Sequence, residues 1–274
     1  MIDKEDVEAI ADLERITREQ GISMMIIGAA ARLLLLDWRH RLPVRRTTKD
    51  WDLAVRMESW NQYDQLRHRL TETKAPFSRT SAEHRLQHRS GALIDLLPFG
   101  AIEAPEGAIQ WPESRAVMSV IGFREAEEHA TSVELVPGLG VKVVTIPTLV
   151  MLKLIAYSDR RRSDDLADVL FILEQYSHHE LEDRIFEELA DQLARGDLAF
   201  EQAGAFLLGR DVSRQCHPSN LPKLSAILND ILGHEAILAE LVSPRFDDEI
   251  WERRFESVTA LFRTFRDGLL AIKE

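Results

Sequence analysis

The sequence predicts an α+β protein: a mixed sheet with flanking helices over residues 1–145, followed by an all-helical region over residues 146–274. Two observations carry this expectation. Up to Val144, short strand-like runs alternate with helical stripes; after Pro147, every segment carries helical spacing.

The elements follow in order. Val7, Ile10, Leu13 and Ile16 lie three apart, an apolar helical stripe that stops at Gly21. Residues 23–27 form a strand-like apolar run closed by Gly28, and residues 29–38 are rich in helix formers. Pro43 marks a loop, residues 50–55 read as a strand, and residues 60–73 as a helix. Residues 85–88 and 92–97 flank a Ser90-Gly91 turn, the pattern of a β-hairpin. Weaker strand signals follow at 116–121, 132–136 and 141–144. Helical stripes then cover 148–157, 164–176, 181–193, 201–207, 222–232, 236–241 and 248–272. Pro222 sits where a first helical turn tolerates proline. In the last stripe Ile250, Phe255, Val258, Leu261 and Phe262 share one face, expected to pack on its own domain.

Composition narrows the function. A chain of 274 residues, 45% hydrophobic and 29% charged, can bury a substantial core. The net charge of -12 argues against a protein that coats nucleic acid, because phosphate contacts need clustered Lys and Arg. Arginines do cluster at Arg39–Arg46, Arg67–Arg89 and Arg160–Arg162, and a basic face there would suit a phosphate-bearing substrate. The single Cys216 excludes an intrachain disulfide and fits a reducing compartment. The acidic N-terminal stripe is a poor signal peptide, and the apolar runs near Met24 and Leu33 are broken by Gly28 and Arg32. The expectation is a soluble, cytoplasmic protein with no membrane partner.

The informative chemistry is carried by aspartates. Alternation along a strand points Asp50 and Asp52 the same way and turns Trp51 and Leu53 into the apolar layer. Two adjacent carboxylates repel unless a cation sits between them or one takes a proton. Mg²⁺ or Mn²⁺ resolves that conflict with oxygen ligands and leaves room for substrate phosphates. Asp95 stands in the otherwise apolar run Ile94-Asp95-Leu96-Leu97, a costly place for an unpartnered carboxylate. If its strand neighbours the first, three carboxylates can hold two metals about 4 Å apart for in-line attack on an α-phosphate. Gly28, at a strand-to-helix junction, lets backbone approach a phosphate. Lys153 lies on a helical face with Tyr157, where it can neutralise a phosphate.

In this order the motifs resemble the AbiEii-like nucleotidyltransferases of the DNA-polymerase-β-like superfamily, which include toxins of toxin–antitoxin systems. The residues that carry the resemblance are Gly28-Ala29-x-Ala31, Arg46-x-Thr48-x-Asp50-x-Asp52, Ile94-Asp95-Leu96-Leu97, Lys153-Leu154-x-Ala156 and Asp165-x-x-Asp168. The resemblance covers residues 20–175. It implies a nucleotidyltransferase-type sheet, metal binding by Asp50, Asp52 and Asp95, and a phosphate-facing turn at Gly28 and Ala29. It also implies a nucleotide contact from Lys153 and a late motif containing Asp165. Arg46 and Thr48 belong to the same nucleotide-binding set. The implied reaction moves a nucleoside monophosphate from an NTP to an acceptor hydroxyl, a tRNA 3′ end or a protein side chain, and releases pyrophosphate. A cognate antitoxin is an implied partner. Alanines follow Gly28 where the family shows Gly or Ser, and Asp164 stands where a Lys commonly precedes the late aspartate.

Several residues have a plainer reading. Lys153 fits a solvated helix face, Asp165 and Asp168 can pair with Arg160–Arg162, and Arg46 can anchor its loop. Thr48 fits a cap or strand lead-in, His178-His179 a solvated helix end, and His84 and His88 surface positions. Of Trp38, Trp51 and Trp60, core packing is the default and base stacking the special case. The alternative function is a nucleotidyltransferase-fold protein that does not catalyse and binds nucleotide or a partner. A third reading is a metal-dependent phosphohydrolase.

Overall fold

A computed structural model describes residues 2–38, 50–177, 182–242 and 247–271. The chain divides into two compact units, Met1–Leu149 and Val150–Glu274.

In the first unit, helix α1 (Lys4–Glu19) buries Ala9, Ile10, Leu13 and Ile16, and the chain turns away at Gly21, where φ is 67°. Strand β1 (Met24–Ile26) leads into helix α2 (Gly28–Arg32), then strand β2 (Asp50–Met57) and helix α3 (Trp60–Thr71) follow. The Ser59 hydroxyl caps α3 by accepting from the Gln62 N–H at 3.3 Å. Strands β3 (Phe77–Arg79), β4 (Arg85–His88) and β5 (Leu93–Gly100) come next, then β6 (Ala108–Gln110), β7 (Val117–Ser119) and helix α4 (Phe123–His129). Strands β8 (Thr131–Val136) and β9 (Leu139–Val143) complete the unit.

Seven strands form one mixed sheet in the order β3-β4-β5-β2-β1-β9-β8. At its centre β2 and β5 run parallel, while β1 lies antiparallel to β2 and parallel to β9. The β4–β5 hairpin pairs antiparallel around the Ser90-Gly91 turn. Leu53, Val55, Ile94 and Leu96 are fully buried, which is why these central strands are so apolar.

Helix α5 (Ile146–Arg160) crosses the division, and the second unit is helical throughout its described residues. It contains α6 (Ser163–Gln175), α7 (Glu182–Glu188), α8 (Ala190–Arg195), α9 (Phe200–Gln215), α10 (Leu221–Gly233), α11 (Glu235–Ala239) and α12 (Asp248–Leu270). Helices α9 and α12 cross backbone to backbone. A Cβ on Gly209 would lie 2.2 Å from the Phe265 carbonyl oxygen, and one on Gly268 would lie 2.1 Å from that of Phe206.

The structure corrects several expectations. The helix expected over 29–38 is α-helical only to Arg32 and continues as a π-helix, Leu33–Trp38. Residues 117–119 do form a strand, but it pairs with β6 in a separate two-stranded sheet. The segment expected as one helix over 181–193 is broken at Leu189, and the one expected over 201–207 runs on to Gln215. Its later part holds Gly209, a poor helix former that is kept because the α12 backbone needs the space. On α12, Val258, Leu261 and Phe262 are buried, whereas Ile250 remains exposed. His88 is a buried residue, against the surface position expected. It shares the inward face of β4 with Leu86, packs against Phe77 at 4.9 Å between ring centroids, and meets Asp12 of α1 at 3.3 Å.

Candidate active site

The register of the central strands assembles the site. Asp52 on β2 sits directly beside Asp95 on β5, and Asp50 beside Leu93. Strand partners share a face and residues two apart share a face, so Asp50, Asp52 and Asp95 all project from the same side of the sheet. Trp51 (2% exposed) and Leu53 (0%) take the other side, into the core.

A fourth residue joins them. Arg85 on β4 is the antiparallel partner of Asp95, so its side chain leaves from that same face. Its Nε donates to Asp95 Oδ1 at 2.6 Å and its Nη2 to Asp95 Oδ2 at 2.7 Å. The same Nη2 donates to Asp50 Oδ2 at 2.5 Å. The Asp95 hydrogen bonds push the Arg85 pKa further above its already high ordinary value. Arg85 was not among the residues singled out in the sequence, although a signal existed. In a hairpin centred on residue 90, positions 85 and 95 are equidistant from the turn.

Gly28 answers to Asp52. Strand β1 lies antiparallel to β2, and the Ile27 N–H donates to the Asp52 carbonyl at 3.0 Å. Gly28 then turns with φ 64°. A Cβ built on it would lie 2.2 Å from Asp52 Oδ2. The glycine is therefore required twice, by backbone sign and by the room it leaves for a carboxylate. Ala29 follows, half-buried, in a helix of only five residues.

Behind Asp95 stands an aromatic wall. His84 Nε2 is 3.8 Å from Asp95 Oδ2, and its ring lies 5.7 Å from that of Trp111. Trp111 packs on Trp60 at 5.6 Å and Tyr63 at 6.0 Å, and the Tyr63 hydroxyl donates to the Leu96 carbonyl at 2.9 Å. Trp51 is buried in the core, and half-buried Trp60 packs edge-on against Tyr63 at 5.6 Å between ring centroids.

In the second unit, Lys153 is enclosed rather than solvated. Its side chain is 11% exposed, with Nζ 2.7 Å from Asp168 Oδ2 and 3.3 Å from Asp165 Oδ1. Asp165 also accepts two hydrogen bonds from Arg160, both at 2.7 Å. The pairing expected between the late aspartates and Arg160–Arg162 is therefore present for Arg160–Asp165. Arg161 pairs instead with Asp230, and Arg162 with Asp164. Arg89 likewise pairs with Asp12, and Arg67 is buried. Arg46, Thr48 and His178-His179 lie outside the described residues.

Among the described residues, no group of three or more His, Cys, Asp or Glu side chains is spaced to hold a metal ion. The donor chemistry nevertheless fits one. Hard carboxylate oxygens from Asp50, Asp52 and Asp95 share a face, and a cationic guanidinium bridges two of them.

A family model described as "Nucleotidyl transferase AbiEii toxin, Type IV TA system" matches residues 33–267. The chain belongs to the AbiEii nucleotidyltransferase family. The AbiEii match spans Asp50, Asp52, Arg85 and Asp95 and begins after Gly28. It makes the protein a nucleotidyltransferase of toxin type. No curated protein sequence matches the chain. Among solved structures, the antibiotic-resistance factor ANT(2'')-Ia is similar at 15% identity and TM-score 0.37, over 60% of this chain and 77% of that one. The CCA-adding enzyme of Thermotoga maritima, complexed with tRNA, is similar at 12% identity and TM-score 0.26, over 100% of this chain and 84% of that one. Overlaps this loose carry no argument about the AbiEii site. Among the described residues, no helix is long and apolar enough to cross a membrane.

Proposed function

We propose that this AbiEii-family protein transfers a nucleoside monophosphate from an NTP to an acceptor hydroxyl, with a divalent cation held by Asp50, Asp52 and Asp95. The observation that supports the reading is the pairing of Asp52 with Asp95 across two parallel strands, with Asp50 on the same face. Bound there, Mg²⁺ or Mn²⁺ would activate the attacking hydroxyl and neutralise triphosphate charge.

The chain's own residues do the positioning. The strand register sets the three carboxylates on one face of the sheet, where a cation held between them would stabilise developing charge. Gly28 clears the space that the Asp52 carboxylate needs, and we assign Ala29, the next residue, to the phosphate-facing turn that the family motif implies. We assign Arg46 and Thr48 to the nucleotide-binding set that the family motif implies; Lys153 and Asp165, enclosed with Asp168 in the second unit, join α5 to α6 instead. The acceptor class is a tRNA 3′ end or a protein side chain. The cytoplasm is the compartment in which NTP, acceptor and a cognate antitoxin meet.

The test is incorporation of labelled nucleotide. Purified protein with Mg²⁺, each α-labelled NTP and either total tRNA or the protein itself should label one acceptor. Asp50→Asn and Asp52→Asn, folded as judged by circular dichroism, should lower incorporation at least about a hundredfold, as expected when transition-state charge stabilisation is removed. Asparagine variants that label as well as the parent would refute the reading.

A further inference from the structure

The carboxylate face already contains a cation. Arg85 engages both oxygens of Asp95 and one oxygen of Asp50, and a single nitrogen, Nη2, joins Asp50 Oδ2 to Asp95 Oδ2. An ion shared by Asp50 and Asp95 would compete for those oxygens. A guanidinium and a divalent cation also repel each other, so both cannot occupy one pair of carboxylates cheaply. This accounts for an otherwise contradictory result: three carboxylates share one face, yet among the described residues no three acidic groups converge on an ion-sized point.

We propose that Arg85 is the resident counter-ion of this site, holding Asp50 and Asp95 in place in the metal-free protein and giving way when a divalent cation binds. The inference rests on the metal-dependent reading above and adds to it a positioning residue that also sets the metal requirement.

Three features make Arg85 suited to that exchange. Register places it, because β4 pairs Arg85 with Asp95 across the hairpin and the side chain cannot leave from the other face. Its exit is open: the side chain is 31% exposed and that of its partner Asp50 is 40% exposed. Its chemistry suits both states. A planar guanidinium bridges two carboxylates bidentately, and after release it remains a permanent cation at the edge of a site built for phosphate. Without Arg85 the metal-free protein would hold three neighbouring carboxylates with one fewer positive charge among them. A divalent ion would then bind with no guanidinium to expel.

The experiment is Mn²⁺ binding to the full chain without nucleotide, read from the free-Mn²⁺ electron paramagnetic resonance signal. It compares wild type, Arg85→Gln and Arg85→Lys, with Asp52→Asn as the control that the signal reports this site. Arg85→Gln should bind Mn²⁺ at least tenfold more tightly than wild type. Its melting temperature in EDTA should fall below that of wild type and recover when Mn²⁺ is added. Arg85→Lys keeps a charge without the fork and should fall between the two, which preserves the test if the glutamine variant does not fold.

Equal or weaker Mn²⁺ binding by the Arg85 variants, with wild type binding normally, overturns the counter-ion role and leaves the nucleotidyl-transfer reading intact. No Mn²⁺ binding by any of the proteins overturns the counter-ion role as well, while label incorporation alone decides the transfer reading.

Discussion

The carboxylate of Asp52 occupies the space in which a side chain on Gly28 would begin. A Cβ at Gly28 would lie 2.2 Å from Asp52 Oδ2, well inside contact distance. Gly28→Ala should therefore do two things at once. It should cost about 1–2 kcal/mol for a non-glycine residue at φ 64°, and it should push Asp52 out of line with Asp95. Gly21 is the matched control, since its φ is 67° and nothing lies within 4 Å of its missing Cβ. Gly21→Ala should lose comparable stability in urea denaturation and keep nucleotidyl transfer; Gly28→Ala should lose transfer as well. Equal activity in the two variants would show that the carboxylate is not crowded there.

Lys153 holds together two acids that would otherwise face each other. With Asp165 2% exposed and Asp168 12% exposed at their side chains, Lys153→Met removes the ammonium that both carboxylates share. Breaking such a pair from one side costs about 3 kcal/mol or more. Arg160 continues to serve Asp165, so Lys153→Met/Asp168→Leu should recover much of the loss. Urea midpoints of the single and double variants make the measurement, and a single variant as stable as wild type would contradict it.

The crossing of α9 and α12 depends on absent side chains. Gly268→Ala would set a methyl 2.1 Å from the Phe206 carbonyl oxygen, and because the obstacle is backbone, the helices themselves must separate. The expected loss is at least about 2 kcal/mol. Gly233, near the end of α10, has nothing within 4 Å. Gly233→Ala should be neutral or stabilising by up to about 1 kcal/mol. Thermal denaturation of the two variants distinguishes a packing requirement from a general intolerance of alanine for glycine.

Asp12 ties α1 to the β3–β4 edge through His88 at 3.3 Å and Arg89 at 3.0 Å. Partial burial raises its pKa, but the His88 and Arg15 hydrogen bonds and the Arg89 charge outweigh that, and the net value lies below the ordinary 3.8. A carboxylate with a depressed folded-state pKa binds its proton more readily when unfolded. It therefore adds stability above the unfolded value, and that contribution is lost as pH falls through the lower folded value. Wild type should exceed Asp12→Asn in stability near neutral pH, and the gap should close below about pH 4. A gap that widens with acid would reverse the assigned direction.

Much of the site was legible because strand geometry is simple. Asp50-x-Asp52 shares a face whatever the rest of the fold does, and Asp95 announces itself as a charge inside an apolar run. Gly28 was marked by its place at a strand end, yet its reason was not. Its position suggested room for a phosphate, whereas the structure shows that the Asp52 carboxylate already requires the space. His88 was misplaced because histidine is read as polar, while its position two residues from Leu86 put it on the buried face. Pairing within the described basic clusters was hidden for a related reason. Residue counts register charge but not pairing, and Arg85, Arg89, Arg160, Arg161 and Arg162 each meet an acid.

Local order along the chain was enough to establish the α+β class, the helical second region, the acidic strand pair and the likeness to AbiEii nucleotidyltransferases. Periodicity and motif spacing reside in neighbouring residues, so one dimension suffices to read them. The order β5-β2-β1, the pairing of Asp52 with Asp95, and the insertion of Arg85 between Asp50 and Asp95 arise from strand register. Register is a long-range choice made by the whole buried face of the sheet, in which one residue of slip would turn every side chain to the other side.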